Sequence, residues 1–333
     1  MTSGLPSGTG TGTFTGQKIS RSETVSVEPV LIVGSVAFDD LELPSGVFNN
    51  TVGGAATYSA IATSLLHPAR VVGIVGEDFD VKVLDQMRAR NIDVEGIERA
   101  KGKTFRWRGR YAPDLNSRET LDTQLNVFAH FQPTILPNAR NPEFLLLGNI
   151  HPALQLHVLQ QVKKPRFVAA DTMNFWISGE PETLRKVLAH VDLLIVNDEE
   201  ARELSGMFSL PKAARAIQKM GPSRVIIKRG EFGALLFDDA GMFFVPAYPL
   251  EEVVDPTGAG DSFAGGLFSY LATTDQTSPH ALRKALFFAS AAGSFCVEGV
   301  GPSRLLSVTK EDFRQRLRSF VSLVDYGAHL DLP

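Results

Sequence analysis

From residue 29 onward, short apolar runs rich in β-branched residues alternate with longer segments of helical spacing. The first run, Pro29 to Val36, is almost continuously apolar, as a strand buried on both faces is. Residues 55–66 follow with apolar positions at helical spacing and stop before a His-Pro pair. Repeated strand–helix–strand units of this size predict an α/β fold, a doubly wound and mostly parallel sheet with helices on both faces.

The same two patterns continue along the chain and set the expected domain limits. Further strands are predicted at 71–76, 143–150, 166–171, 192–197 and 224–228. Further helices are predicted at 78–90, 152–162, 180–190 and 198–220, the last broken near Leu210-Pro211. We therefore expect a Ser-, Thr- and Gly-rich extension over 1–28, one domain over 29–322 and a tail over 323–333.

Two stretches, at about 38–52 and 94–130, interrupt this alternation. The first is rich in turns, and in the second aromatic residues alternate with Arg106, Arg108 and Arg110, as on a strand. An antiparallel flap added to the main domain explains both stretches, and such a flap can close over a site as a small β lid. The same strands are also compatible with an extension of the main sheet or with a homodimer contact.

The charge and cysteine content exclude several classes of protein. With 33 basic and 37 acidic residues the formal net charge is −4, which gives no basic footprint for nucleic acid or an anionic membrane. No apolar run approaches the ~20 residues that cross a bilayer, and residues 1–28 lack the apolar core of a secretory signal. Cys296 is the only cysteine, so an internal disulfide and a thiolate cluster are excluded. We expect a cytoplasmic protein.

Residues 255–266 read Asp-Pro-Thr-Gly-Ala-Gly-Asp-Ser-Phe-Ala-Gly-Gly and are the most informative segment. Pro256 and the glycines prevent regular structure as far as Gly260, after which helical spacing begins. A helix N-terminus offers free N–H groups and partial positive charge, which suit a phosphoryl group and favour the ionised form of Asp261. A helix with an ordinary glycine-rich entrance and an acidic first turn has the same local pattern.

As a whole, these twelve residues resemble the C-terminal signature of the ribokinase-like (PfkB) sugar kinases. The resemblance implies transfer of the γ-phosphoryl group of ATP, with Mg²⁺, to a hydroxyl of a small-molecule sugar or nucleoside. It implies that Asp261 is the catalytic base and that the N–H groups of Gly258, Ala259 and Gly260 hold the developing charge. It also implies the ribokinase-like fold with a β lid.

Residues of the acceptor site follow from the same resemblance. The segment 34–39 resembles the strand end whose aspartate binds acceptor hydroxyls, so Asp39 inherits that role, and the Gly53-Gly54 turn would lie against the acceptor. Ala37 stands where ribokinases usually have asparagine, and Tyr58 stands near the position of another, which weakens a prediction of ribose.

Asn149 and Asp171 lie at the ends of predicted strands and are candidate acceptor contacts. A solvated loop position, or a polar group satisfied within the core, is an equally good interpretation of each.

The nucleotide side is predicted from two further strand ends. Asn197 and Glu200 resemble the family's Asn-x-x-Glu motif, in which Asn197 would support the phosphates and Glu200 would hold Mg²⁺ through water. The same pair has the spacing of a helix capping box. Lys228 and Gly230 resemble the lining of the nucleotide pocket, together with Thr257, although the segment also has the pattern of a hairpin turn.

A monovalent cation site is implied by a further resemblance. In relatives the region around Asp255 and a late glycine loop, here 298–303, holds a monovalent cation, so K⁺ is a candidate activator.

Three other functions compete with this prediction. A non-catalytic sugar or nucleotide sensor would need no base, so the presence of Asp261 argues against it. A dinucleotide-dependent oxidoreductase is excluded because no Gly-x-Gly-x-x-Gly follows the first strand. A sugar-phosphate kinase could hold its acceptor with the lid arginines, but Trp176 stands where family members that use such acceptors resemble one another in having arginine. We therefore expect an unphosphorylated acceptor.

Overall fold

The computed structural model describes residue 1 and residues 27–325, so most of the predicted extension and the end of the predicted tail lie outside the described residues. The strands of the described part are β1 Val30–Val33, β2 Ala37–Leu43, β3 Gly46–Gly53, β4 Ala69–Val75, β5 Ile92–Arg99, β6 Phe105–Tyr111, β7 Arg118–Gln124, β8 Phe144–Leu147, β9 Phe167–Asp171, β10 Leu193–Asn197, β11 Arg224–Lys228, β12 Ala234–Asp238 and β13 Gly241–Val245.

Its α-helices are α1 Ala55–Thr63, α2 Val81–Ala89, α3 Pro152–Gln161, α4 Asn174–Gly179, α5 Pro181–Leu188, α6 Asp198–Ser205, α7 Leu210–Gln218, α8 Ala259–Thr274, α9 Pro279–Cys296, α10 Ser303–Ser307 and α11 Lys310–Val324. Short 3-10 helices lie at Asn126–His130, Pro137–Ala139 and Gly230–Phe232. The predicted 198–220 helix is two helices, and the last helix runs two residues beyond the expected domain end at 322.

The main sheet has nine strands in the order β13-β12-β11-β10-β9-β8-β1-β4-β5. Its strands are parallel from β5 to β11, and β12 and β13 add an antiparallel edge. The predicted fold class is therefore confirmed, and so is the hairpin predicted after Lys228. Because parallel strands share a direction, the loops after β1, β8, β9, β10 and β11 all leave the same edge.

Helices cover both faces of this sheet, which explains the continuous apolar runs. Val30 and Ile32 belong to one hydrophobic cluster, whereas Leu31 and Val33 belong to a second cluster on the opposite face. The first cluster takes in the apolar faces of α1, α8 and α9, and the second takes in those of α3, α5 and α7. Cys296 is buried, as expected.

A second sheet of four strands, in the order β3-β2-β6-β7, stands apart from the main one, and we call it the lid. The prediction for 94–130 was wrong at its ends. Residues 92–99 pair with β4 in the main sheet, and residues 126–130 form a 3-10 helix. Among the described residues, the lid takes its strands from 37–53 and 105–124.

The two faces of the lid differ in character because neighbouring side chains on a strand point to opposite sides. Asp39, Leu41 and Leu43 alternate as buried residues on one face, which we call the inner face. Arg106, Arg108 and Arg110 lie on the other face, which does not support the alternative in which they hold a sugar phosphate from above the site. All three are paired there: Arg106 with Asp40 (2.8 Å), and both Arg108 and Arg110 with Glu42 (2.7 Å each).

None of the helices in the described part of the chain combines the length and the apolar composition of a membrane span. A homodimer through the lid and a cytoplasmic location stay predictions.

Candidate active site

The glycine-rich turn forms the start of α8, as its sequence predicted. Gly258 precedes the helix with φ +77°, where a side chain would be strained. A Cβ at this position would also overlap the ring of Tyr58, so the turn is packed directly on that aromatic side chain. Asp261 is the third residue of the helix, and its carbonyl accepts a hydrogen bond from the Ser59 hydroxyl at 3.0 Å. Helix α1 therefore fixes the position of the turn.

Three of the residues predicted to bind the acceptor, Asp39, Gly53 and Gly54, meet where β1, β2 and β3 approach α1. The Ser35 side chain accepts from the Ala55 N–H at 3.0 Å and so caps the start of α1. A Cβ on Gly53 would overlap the carboxylate of Asp39, and one on Gly54 would overlap the Ser35 carbonyl. The two glycines are thus required by close approach, and the Asp39 carboxylate lies directly against the Gly53-Gly54 turn.

Asp39 is 4% exposed and faces other carboxylates. Burial, followed by repulsion from Asp255 and Asp261, raises the pKa of Asp39 to about 8. Its carboxyl group is therefore mostly protonated at neutral pH and can donate as well as accept a hydrogen bond.

Lys228 connects two strand ends that the sequence analysis treated separately. Its Nζ forms an ion pair with the Oδ2 of Asp171 at 3.0 Å, with 18% of the lysine side chain exposed. A Cβ on Gly260 would lie 2.9 Å from the same Nζ, so the ammonium group reaches the glycine turn. Burial alone lowers the pKa of Lys228, but Asp171, Glu200 and Asp261 outweigh it, and the net shift is upward. Lys228 is charged at neutral pH.

Asp261 is half-buried beside this ion pair. Burial and repulsion by Asp171 raise the pKa of Asp261 to about 7, against the opposing attraction of Lys228 and Arg118. The favourable effect of the helix N-terminus on the ionised form is therefore outweighed by desolvation. Asp261 is about half ionised at neutral pH, which suits a general base.

Asn197 and Glu200 form a complete capping box at the start of α6. The Glu200 N–H donates to the Asn197 side chain at 2.8 Å, and the Asn197 N–H donates to the Oε2 of Glu200 at 2.7 Å. Burial raises the pKa of Glu200 to about 7, with Lys228 opposing it and Asp171 adding to it. The structural interpretation of this motif is confirmed, and the motif still presents a carboxylate at the site.

Asp255 is fully buried and joins two loops. One of its oxygens accepts from the Thr257 N–H at 2.9 Å, and the other accepts from the Gly301 N–H at 2.8 Å. The Cys296 thiol donates to the Thr257 carbonyl at 3.3 Å. Asp255 and the loop 298–303 are thus in contact, as the resemblance implied.

The lid reaches the glycine turn and the nucleotide side at separate points. The Thr257 hydroxyl donates to the Tyr111 hydroxyl at 3.1 Å, so β6 contacts the turn itself. The Asn116 amide, in the turn between β6 and β7, donates to Glu231 at 3.3 Å beside Gly230. The lid therefore spans the distance between the two predicted halves of the site.

Asn149, a predicted acceptor contact, lies just after the end of β8. Its Oδ1 accepts from the Trp176 indole N–H at 3.1 Å, and the Trp176 ring lies 4.9 Å from that of His151. Trp176 and His151 thus form an aromatic surface beside these strand ends. The sequence predicts no cationic phosphate-binding group there.

Comparison with protein-family models matches residues 25–308 to the pfkB family carbohydrate kinases. The chain belongs to the pfkB family. The cytidine kinase of Thermococcus kodakarensis is 30% identical over 249 residues, which are 72% of this chain and 87% of that protein. As a pfkB kinase, the chain is an ATP-dependent kinase.

Solved structures agree with the pfkB kinase assignment at the level of the fold. The nucleoside kinase of Methanocaldococcus jannaschii superimposes with a TM-score of 0.71 at 19% identity, covering 88% of this chain and 98% of that one. The ribokinase of Arabidopsis thaliana, solved with ribose and ATP, has a TM-score of 0.69 at 22% identity, covering 88% and 99%. The ribokinase-like fold predicted from the glycine turn is confirmed.

Sequence reasoning missed two contacts of this pfkB kinase site. The Asp171–Lys228 ion pair joins residues 57 positions apart, and the Thr257–Tyr111 hydrogen bond joins the turn to the lid. Each residue has a local pattern, but no local pattern in the sequence pairs them.

We predict that Lys228→Met destabilises the kinase by about 2–4 kcal/mol at pH 8, somewhat below the ~3–5 kcal/mol lost on breaking a fully buried pair. Lys228 lowers the pKa values of Glu200 and Asp261, so its removal penalises their charged forms. Both groups are mostly protonated at pH 5, so the loss should be smaller there. Urea unfolding at the two pH values measures this difference.

The double variant Asp171→Asn/Lys228→Met is the matched control, because it removes both charges of the pair. It should recover part of the lost stability. A loss that is the same at both pH values, or a double variant no more stable than Lys228→Met, would contradict the interpretation.

Proposed function

We propose that the kinase transfers the γ-phosphoryl group of ATP to a hydroxyl of an unphosphorylated nucleoside or sugar, with Asp261 as the base. The observation that carries this proposal is the position of Asp261 in the first turn of α8, directly after the glycine turn that begins that helix. Lys228 lies against the same turn. A proton acceptor, a helix N-terminus and a cation therefore meet at one point.

In the proposed reaction the acceptor hydroxyl oxygen forms a bond to the γ-phosphorus. The bond between that phosphorus and the bridging oxygen of ATP breaks, and its electron pair leaves with ADP. The hydroxyl proton passes to the carboxylate of Asp261. The N–H groups of Gly258, Ala259 and Gly260 stabilise charge on the phosphoryl oxygens, since such transfers depend chiefly on positioning and charge stabilisation.

The remaining predicted residues take supporting roles in this proposal. Asp39, against the Gly53-Gly54 turn, binds acceptor hydroxyls, whose hydrogen bonds would favour its ionised form. Asn149 and Asp171 complete the acceptor side. Nucleotide contacts come from Asn197, Lys228, Gly230 and Thr257.

Mg²⁺ fits the donor set on the nucleotide side. Glu200 is 5% exposed, and only its Oε2 is used in the capping box, which leaves Oε1 as an oxygen ligand, directly or through water. No cluster of three or more His, Cys, Asp or Glu side chains among residues 27–325 is arranged to hold a metal. Mg²⁺ commonly takes one or two carboxylates and completes its shell with phosphates and water. When bound, it would neutralise phosphate charge.

The acceptor is proposed to be unphosphorylated because the lid arginines named for the alternative lie on the outer face of the lid and are paired. The aromatic surface of His151 and Trp176 suits a base or a polyol better than a phosphate. The similarity to cytidine kinase favours a nucleoside. A sensor without catalysis has no use for a base whose pKa is near 7.

We predict that Asp261→Asn lowers kcat by ~10²–10⁴-fold, because it removes the base and keeps the shape of the side chain. ATP binding should be retained, since the proposed anion site is made of backbone. Steady-state kinetics and calorimetric titration with an ATP analogue measure the two effects.

Asp85→Asn, on exposed α2, is the control and should match wild type. Activity of Asp261→Asn within fivefold of wild type would refute the mechanism, and a wild type without turnover on any acceptor would favour the sensor.

We predict that cytidine, adenosine, inosine or a free sugar gives a higher kcat/KM than fructose 6-phosphate, tagatose 6-phosphate or fructose 1-phosphate. The reason is that the outer-face arginines cannot serve as a phosphate grip without breaking their ion pairs. Acceptor-dependent ADP release over this panel is the measurement. A sugar phosphate with the highest kcat/KM would overturn the choice of acceptor.

We predict that K⁺ raises the rate through a site at Asp255. Each Asp255 oxygen accepts one N–H and keeps a further lone pair, and the Thr257 carbonyl and the loop 298–303 lie beside it. Rates are compared in potassium and in tetramethylammonium at equal ionic strength. Equal rates in the two salts would argue against the site.

A further inference from the structure

Four arginines lie on the lid strands β6 and β7, and one of them differs from the rest. Arg106, Arg108 and Arg110 each contact an acidic residue of β2 on the outer face. Arg118 is exposed and, among the described residues, lies within 4 Å of no carboxylate. The lid therefore holds one arginine whose charge is not committed to an ion pair.

Arg118 belongs to the inner face. It is the cross-strand partner of Tyr111, and paired residues on adjacent strands point to the same side of a sheet. The Tyr111 hydroxyl contacts Thr257 of the glycine turn at 3.1 Å. The Arg118 guanidinium also lies 6.0 Å from the ring centre of Trp107, which is the register partner of Asp39. Arg118 thus faces the turn from above.

The site contains more acidic than basic side chains, so a further cation could neutralise negative charge there. Asp39, Asp171, Glu200 and Asp255 are buried near the half-buried Asp261, and Lys228 is already paired with Asp171. The charge of Arg118 reaches this group, because it lowers the pKa values of Asp261 and Glu200. A triphosphate brings several more negative charges to the same place, and desolvated phosphate needs cationic hydrogen-bond donors.

We propose that Arg118 is a catalytic residue of the lid that binds the γ-phosphoryl group of ATP during transfer. This inference rests on the proposed function and deepens it. Arg118 takes no part in the proton transfer: the bond to the acceptor oxygen forms, the bond to the bridging oxygen breaks, and the arginine hydrogen-bonds the phosphoryl oxygens throughout. A guanidinium group suits this role because its planar donors match phosphoryl oxygens in pairs.

The position of Arg118 makes charge stabilisation depend on lid closure. The lid also carries Asp39, so the strands that bind the acceptor are the strands that deliver the arginine. The contacts Tyr111–Thr257 and Asn116–Glu231 hold this arrangement in the closed position. A phosphate on the acceptor is the other source of the same ligand chemistry, and the experiment separates the two.

The test compares Arg118→Gln with Arg110→Gln, which removes the same charge from the outer face of the same sheet. With the best unphosphorylated acceptor, Arg118→Gln should lower kcat by ~10²–10³-fold, the usual loss for one donor to a developing anion. Arg110→Gln should stay near wild type, since its ion pairs are exposed. Arg118→Lys keeps the charge without the paired donors and should fall between them. Thermal unfolding should be unchanged, because Arg118 is exposed.

A binding measurement keeps the test independent of turnover. Calorimetry with a non-hydrolysable ATP analogue and with ADP asks whether Arg118 contacts the γ-phosphate. Arg118→Gln should weaken the analogue at least tenfold and leave ADP unchanged. Equal weakening of both nucleotides, or no difference from Arg110→Gln, would overturn the proposal.

Two further outcomes also have definite meanings. An effect confined to the KM of a phosphorylated acceptor would assign Arg118 to the acceptor phosphate and would overturn its role at the γ-phosphoryl group. If wild type turns over no acceptor at all, the proposed function fails, whereas selective loss of the ATP analogue would still support the contact to the γ-phosphate.

Discussion

The site depends on a balance between clustered carboxylates and the single ammonium group of Lys228. Desolvation of Asp261 and Glu200 disfavours their charged forms, and the lysine limits that effect by lying between Asp171 and the glycine turn. The result is a pair of carboxyl groups that titrate close to neutral pH. In a site of this kind, a small change in the surrounding charge changes which carboxyl groups are protonated at neutral pH.

The lid divides its charges between two faces, and the division follows from strand geometry. Alternation places Arg106, Arg108 and Arg110 outside, where they are neutralised locally, and places Tyr111 and Arg118 inside. The pairs of Arg108 and Arg110 contribute little to stability because both arginines are exposed, whereas the Arg106–Asp40 pair is partly buried. These pairs also neutralise the charge of three lid arginines, so that Arg118 is the lid-strand arginine left for the proposed phosphoryl contact.

Most of the fold was predictable because its signals are local. Apolar runs identified the parallel strands, and the residues 255–266 identified the turn, the helix and the family. Local signals failed where partners are distant in sequence. The strand pattern of residues 92–99 does not say which sheet it joins, and the spacing of Arg106, Arg108 and Arg110 shows that they share a face without showing which one. The pairing of Asp171 with Lys228 needed the structure for the same reason.

The contact between Tyr58 and Gly258 has a consequence for how acceptor specificity can change in this family. Tyr58 lies near a position where ribokinases usually have an acceptor-binding asparagine, yet here its ring supports the turn that is proposed to hold the phosphoryl group. In the proposed site, one side chain would therefore affect both the choice of acceptor and the geometry of transfer. Replacing Tyr58 with the asparagine of a relative would remove the ring that packs against Gly258. A change of acceptor specificity at this position would therefore need compensating substitutions that again support the glycine turn.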